Sequence, residues 1–167
     1  MSHQAGRYTF ADKAADYTDL ACDLQGLLSG EPDLIANAAN TVALIFDAVP
    51  RLNWVGFYFL KEGELVVGPF QGKPACVRIP LGKGVCGTAA ARRATLVVDD
   101  VTTFAGHIAC DAASRSEIVI PLVRGESLLG VLDIDSPERN RFDAADQHGL
   151  EALAHIFVAS ACSDRTG

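Results

Sequence analysis

Three cysteines fall within one stretch of the chain, each beside a turn former or at the edge of an apolar run. Cys76 follows Gln71-Gly72-Lys73-Pro74-Ala75, Cys86 lies inside Gly82-Lys83-Gly84-Val85-Cys86-Gly87, and Cys110 follows Gly106-His107-Ile108-Ala109. Such positions set thiols around a cleft rather than inside a core, and thiols that share a cleft point to redox chemistry. A second group of reactive side chains comes just downstream. Asp133 and Asp135 close an otherwise apolar run from Leu128 to Asp135, and their two-residue spacing puts them on one strand face, shared with Leu129 and Val131. Glu117 begins the preceding strand, and a hairpin brings it near the Asp pair, although a one-residue slip in register would turn it away. Capping by Asp135 ahead of Ser136-Pro137 accounts for one of these carboxylates and leaves two. Crowded like charges raise the apparent pKa of a group and leave one member protonated near neutral pH, so the cluster can act as an acid.

Aromatic residues complete the candidate set. Leu52 to Leu60 has strand composition, with Trp54, Gly56 and Tyr58 on one face and Val55, Phe57 and Phe59 on the other; two apolar faces mark a central strand. Trp54 and Tyr58 are roughly 13 Å apart at ~3.3 Å per residue, and Gly56 between them leaves a gap that a small ligand can occupy. Packing of the two rings against a helix across the glycine is the plainer expectation for this strand alone. Gly82, Gly84 and Gly87 lead into a short helix over Thr88 to Arg93, whose free amides suit an anion. There is no Gly-Lys-Ser/Thr and the glycine spacing is not that of a dinucleotide fold, so the turn permits a carboxylate site without demanding one.

These residues need a scaffold. Phe10, Ala14, Tyr17, Ala21, Leu24 and Leu28 recur at helical steps and Gly30 ends the run. Pro32 suits the first turn of a second helix, with Ile35, Ala38, Val42, Ile45, Phe46 and Val49 inward and Pro50 as its stop. Lys61-Glu62-Gly63-Glu64 reads as a hairpin turn, Leu65 to Phe70 as its returning strand, Cys76 to Pro80 and Thr95 to Val98 as short strands, and Asp99 to Asp111 as a long irregular segment of the kind that forms binding loops. Ile118 to Val123 and Leu128 to Asp135 pair through Gly125-Glu126, and Asp143 caps a last helix carrying Leu150, Leu153, Ala154, Phe157, Val158 and Ala161. The order predicts an α+β fold in one domain over residues 1–167. Its mostly antiparallel sheet has the N- and C-terminal helices on one face and a loop-covered pocket on the other. Asp12, Asp16, Asp19 and Asp23 read as a solvated face, His148 and His155 as surface, and Cys22 and Cys162 as bystanders.

Composition narrows the function. A chain of 167 residues with 49% hydrophobic content buries roughly two thirds of its unfolded surface and needs no disulfide. A formal charge of −7, from 14 basic and 21 acidic residues, argues against nucleic acid. No apolar run approaches the ~20 residues of a membrane helix and no basic leader precedes an apolar core, so a cytoplasmic protein with reduced thiols is expected.

The order and spacing resemble a GAF domain. The segments Asn53-Trp54-Val55-Gly56-Phe57-Tyr58, Gln71 to Cys76, Gly84-Val85-Cys86-Gly87 and His107 to Glu117 resemble those of the free methionine-R-sulfoxide reductases over nearly the whole chain. Ordinary GAF ligand sensors lack this set of cysteines. The resemblance implies Cys110 as nucleophile, Cys76 as the main resolving thiol and Cys86 as an accessory. It implies Glu117, Asp133 and Asp135 as the residues that bind and polarise substrate, and Trp54 and Tyr58 as pocket walls. It further implies free methionine sulfoxide as substrate, no cofactor beyond an external dithiol of the thioredoxin type, and a homodimer. Reduction of a sulfoxide needs a thiolate to attack sulfur while oxygen takes a proton, which is the pairing the cysteines and carboxylates offer. A GAF-type sensor would share the fold but has no use for three cleft thiols. A metal is not expected, because Cys76, Cys86 and Cys110 lack Cys-x-x-Cys spacing. A structural module with inert buried thiols is the third alternative.

Overall fold

The computed structural model describes residues 8–106 and 111–161. Six strands form one sheet: β1 (Trp54–Lys61), β2 (Glu64–Gln71), β3 (Arg78–Pro80), β4 (Leu96–Val98), β5 (Ser116–Arg124) and β6 (Ser127–Ser136), in the order β3-β2-β1-β6-β5-β4 with every neighbouring pair antiparallel. The β1–β2 hairpin turns on Glu62 and Gly63, both at positive φ, a twist that matches the flanking strands. β1 and β6 are central; β1 is apolar on both faces, whereas β6 carries Asp133 and Asp135 on one of them. Around them the molecule builds one core on each side of the sheet.

The larger core lies under three helices, α1 (Lys13–Leu28), α2 (Leu34–Ala48) and α4 (Ala144–Ser160). Each helix begins where an aspartate accepts a backbone N–H: Asp12 from Ala15, Asp33 from Ala36, and Asp143 from Asp146 in a reciprocal capping box. Pro32 therefore stands just before the cap of α2 and not in its first turn. Leu20, Leu24, Ala38, Val42, Ile45, Leu150, Leu153 and Phe157 meet Val55, Phe57, Ile118, Leu132 and Ile134 from the sheet. Ile35, expected inward, is 53% exposed, while Asn37 and Thr41 take buried places on α2; Thr41 donates to the Asn37 carbonyl, so its hydroxyl is satisfied inside the helix.

A buried polar knot ties this layer together. Asp146, fully buried, accepts from Tyr17 Oη (2.9 Å), Lys13 Nζ (2.6 Å) and Arg141 Nη1 (2.9 Å), and Arg141 also donates to the Pro50 carbonyl at 3.2 and 3.0 Å. The carboxylate meets two cations, so its desolvation is offset where a lone buried charge would be costly.

The second face carries α3 (Gly84–Arg92) over Trp54, Tyr58, Leu65, Val119 and Val131. The helix starts at Gly84, four residues before the expected Thr88, so Cys86 sits in its first turn. Close packing requires glycine at 87, where a Cβ would fall 2.3 Å from the Pro80 carbonyl oxygen. One expected side chain is reversed. The β5–β6 register shifts between Leu122 and Val123, and Leu129 packs toward the helices instead of sharing the Val131 face. The shift adjoins Gly130, at φ +154, whose absent Cβ would meet the Tyr58 carbonyl oxygen at 2.0 Å.

Two glycines on the helices make opposite predictions. A Cβ at Gly149 would lie 2.1 Å from Tyr17 Cγ, so Gly149→Ala should destabilise the fold by about 1–3 kcal/mol through overpacking. Nothing lies within 4 Å of a Cβ at Gly26, where Gly26→Ala should stabilise α1 by up to about 1 kcal/mol. Urea titrations of both variants check the pair.

Candidate active site

Strand register assembles the acids. Glu117 on β5 pairs with Asp135 on β6, which pairs with Trp54 on β1; one row along, Val119, Asp133 and Gly56 align. Neighbouring strands are about 4.8 Å apart and alternate residues share a face, so Glu117, Asp133 and Asp135 converge on the side covered by α3. The slip that would have turned Glu117 away does not occur. Asn53 N–H donates to the Asp135 carbonyl at 3.0 Å and Arg115 N–H to the Ser136 carbonyl at 2.7 Å, which fixes the ends of these strands.

α3 then lowers Cys86 onto the acids. Its Sγ lies 3.9 Å from Glu117 Oε1, and Cys86, Glu117 and Asp133 are all less than a tenth exposed. Burial raises the Cys86 pKa well above the ordinary thiol value, and the Asp133 and Glu117 carboxylates raise it further. Glu117 is itself raised well above the usual carboxylate range by burial and by the charges of Asp133 and Asp135. Asp133 is raised to about 6 by burial, held back by hydrogen bonds from Cys86, Glu117 and the Ile134 amide. Asp135 is raised by burial, Asp133 and Asp111, and eased by Ser114. The cluster thus retains a proton near neutrality, and Cys86 is a protonated thiol rather than a ready nucleophile.

One polar atom stands out. Among the described residues Asp133 Oδ1 is buried without a hydrogen-bond partner, a costly state that a ligand donor would relieve. Its residue lines a two-lobed cavity. One lobe runs past Tyr58, Asp133 and Asp135 to Cys86 and to Lys83, Gly84 and Val85 at the start of α3; the other runs past the same residues to Trp54, Pro74 and Ala75. Lys83, the N-cap of α3, makes no side-chain cap bond, which leaves first-turn amides of that helix facing the cavity.

Trp54 and Tyr58 do not flank an open gap at Gly56. The indole lies across the glycine, where a Cβ would fall 2.3 Å from Trp54 Cη2, and stacks on Tyr58 (centroids 5.9 Å apart) and Phe70 (5.3 Å). The two rings form a buried floor whose ligand side is the second lobe. They also hold the segment before β3, since Trp54 Nε1 donates to the Lys73 carbonyl (3.0 Å) and Tyr58 Oη to the Cys76 carbonyl (3.1 Å). Cys76 itself is partly buried beside the edge of the sheet. Cys110 lies outside the described residues.

Three residues join the site without having been singled out for a role. Asp111 lines both lobes; its carboxyl is held below the usual range by the Ala113 amide (2.9 Å), Asn53 Nδ2 (3.2 Å) and Lys73 Nζ (3.7 Å). Asn53 also donates to Ser114 Oγ at 3.0 Å. Asp111-Ala112-Ala113 is a local Asx turn visible in principle from sequence, whereas its link to Asn53 spans 58 positions and has no local signature.

The comparisons with known proteins agree with this geometry. The GAF domain family matches residues 36–159. The free methionine-R-sulfoxide reductase of Escherichia coli K12 is 53% identical over 142 residues, covering 85% of this chain and 86% of that protein. The Saccharomyces cerevisiae reductase of the same name is 43% identical, covering 84% and 83%. The structure of the Neisseria meningitidis free methionine-R-sulfoxide reductase in complex with its substrate superposes with a TM-score of 0.88 at 43% identity, covering 93% of each chain.

The acid cluster predicts a pH profile. An acid whose folded pKa exceeds its unfolded value contributes stability in full below about pH 4 and loses it as pH rises through the folded pKa. For Asp133 that window runs up to about 6, and for Glu117 it extends beyond the usual carboxylate range. Denaturant titrations should therefore show Glu117→Gln, which mimics the protonated acid, exceeding the wild type in stability at about pH 8, with the advantage shrinking as pH falls and gone below about pH 4. Parallel profiles would contradict a raised Glu117. With the fold, the acid cluster and these relatives in agreement, the chain belongs to the free methionine-R-sulfoxide reductases, oxidoreductases built on the GAF domain.

Proposed function

We propose that this chain reduces free L-methionine (R)-sulfoxide to methionine through a cysteine sulfenic acid and an intramolecular disulfide. The observation that carries the reading is the buried acid cluster lining the cavity, in which Asp133 keeps an oxygen unpartnered among the described residues. A site with this many carboxylates and, among the described residues, no cation against Asp133 suits an ammonium group, which a free amino acid has and a peptide-bound residue lacks. Asp133 and Asp135 take the ammonium, and the substrate carboxylate meets the amides that open α3. The S-methyl group rests against Trp54. The Neisseria relative, whose structure holds its substrate, supports the same substrate class here.

In the reaction the Cys110 thiolate attacks the sulfoxide sulfur while the Glu117–Asp135 carboxyls deliver a proton to its oxygen. Methionine leaves and Cys110 becomes a sulfenic acid. The Cys76 thiol condenses with it, releasing water and forming the disulfide, and an external dithiol of the thioredoxin type restores both thiols. The high pKa of Cys86 supports its exclusion as nucleophile and leaves it an accessory. A reducing cytoplasmic setting fits three reduced thiols, and the homodimer is carried by the family resemblance.

Incubation with the separated diastereomers and a dithiol should consume only free R-sulfoxide, and equal turnover of the N-acetylated compound would refute the ammonium site. Glu117→Gln or Asp135→Asn should slow reduction by ~10²- to 10⁴-fold, the usual range for general acid catalysis; losses under tenfold in both would remove the cluster as proton source. Cys110→Ser should release no methionine in a single turnover. Cys76→Ser should release about one methionine per enzyme and then stall or continue slowly through Cys86, since the first step needs no resolving thiol. Full burst activity in Cys110→Ser would put the nucleophile elsewhere.

A further inference from the structure

The acids and thiol that face the cavity also make a donor set for a metal ion. Cys86 Sγ and one oxygen each from Glu117 and Asp133 all lie within 4.8 Å of one another, and all three residues are buried. We propose that Cys86, Glu117 and Asp133 form a zinc(II) site, and that zinc held there excludes the amino acid substrate. The second half rests on the reductase reading; the first does not.

Geometry favours zinc. Bonds of about 2.3 Å to sulfur and about 2.1 Å to oxygen at tetrahedral angles put the sulfur and an oxygen ligand roughly 3.6 Å apart, and the Cys86–Glu117 separation is 3.9 Å. That pair needs a few tenths of an ångström of adjustment, and Asp133, within 4.8 Å of both, closes in by side-chain movement. Three protein ligands leave a fourth position open toward the cavity, the arrangement of zinc sites that keep a water. A thiolate donor and only two carboxylates disfavour magnesium and calcium, which demand more oxygen ligands.

The buried Asp133 Oδ1, without a partner among the described residues, is the second sign that the cluster takes a ligand. On binding, zinc displaces the Cys86 thiol proton and whatever proton the two carboxyls share, and these pass to solvent; no electron moves. The metal then occupies the Asp133 carboxylate that the substrate ammonium would use and the Glu117 carboxyl that would deliver the proton. Zinc should act as a competitive inhibitor, and by linkage the substrate should weaken zinc binding by the same factor.

Fully reduced protein titrated with cobalt(II) as a spectroscopic stand-in should show thiolate-to-cobalt charge-transfer absorption at one equivalent. The band should persist in Cys22→Ser, Cys76→Ser and Cys110→Ser and vanish in Cys86→Ser. Zinc affinity, read by competition with a chromophoric chelator, should fall at least tenfold in Cys86→Ser and in Asp133→Asn, with circular dichroism confirming that both fold. A band that survives in Cys86→Ser, or wild-type zinc binding no tighter than that of Cys86→Ser, would overturn the site. Free methionine sulfoxide should raise the apparent zinc dissociation constant and its N-acetyl derivative should not; binding through Cys86 that is indifferent to substrate would overturn the exclusion. A protein that binds zinc in this way yet reduces no sulfoxide would refute the reductase reading and leave the metal site standing.

Discussion

Burying like charges together is the constraint on which the active face depends. Glu117, Asp133 and Asp135 are brought to one spot by the β5–β6–β1 register, and α3 closes over Glu117 and Asp133 with a thiol. Burial raises all three acids, and the charges of Asp133 and Asp135 raise Glu117, and that of Asp133 raises Asp135, beyond what burial alone would do, so the cluster holds a proton that a solvated carboxylate would lose. This arrangement works against the stability of the fold at neutral pH. It persists because the strands that carry it are also the centre of the core on the opposite face, where Ile118, Leu132 and Ile134 pack beneath the helices.

Asp146 shows what the same residue type does when the fold uses it for stability alone. It is as buried as Asp133, but Lys13, Arg141, Tyr17 and the Asp143 amide satisfy it from several directions. Asp133 lines a cavity and, among the described residues, keeps one oxygen without a partner. The contrast between a neutralised and an unneutralised buried aspartate separates scaffold from site within one small domain, and a cationic ligand is what the second lacks.

Much of this was legible from alternation along the chain. The two faces of β1, the Asp133–Asp135 pair, the Asp143 cap and the antiparallel sheet follow from period and turn chemistry at positions close in sequence. Four features did not. Leu129 is turned over by a register shift that depends on how Gly130 meets Tyr58 across the sheet. The space at Gly56 is taken by the Trp54 indole, and no strand pattern specifies which way a ring lies. The Asn53, Asp111 and Ser114 contacts join residues from separate elements, so they exist only once the chain has folded. The early start of α3 was hidden because glycines that read as a loop form its first turn.

The central claim is that the acid cluster of the substrate-free protein is protonated near neutral pH. Infrared difference spectroscopy measures this directly through the carbonyl stretch of protonated carboxyl groups. At about pH 7 the wild type should show such a band, Glu117→Gln should lose most of it, and addition of free methionine sulfoxide should perturb it. A spectrum with only ionised carboxylates, identical in the wild type and Glu117→Gln, would contradict the account.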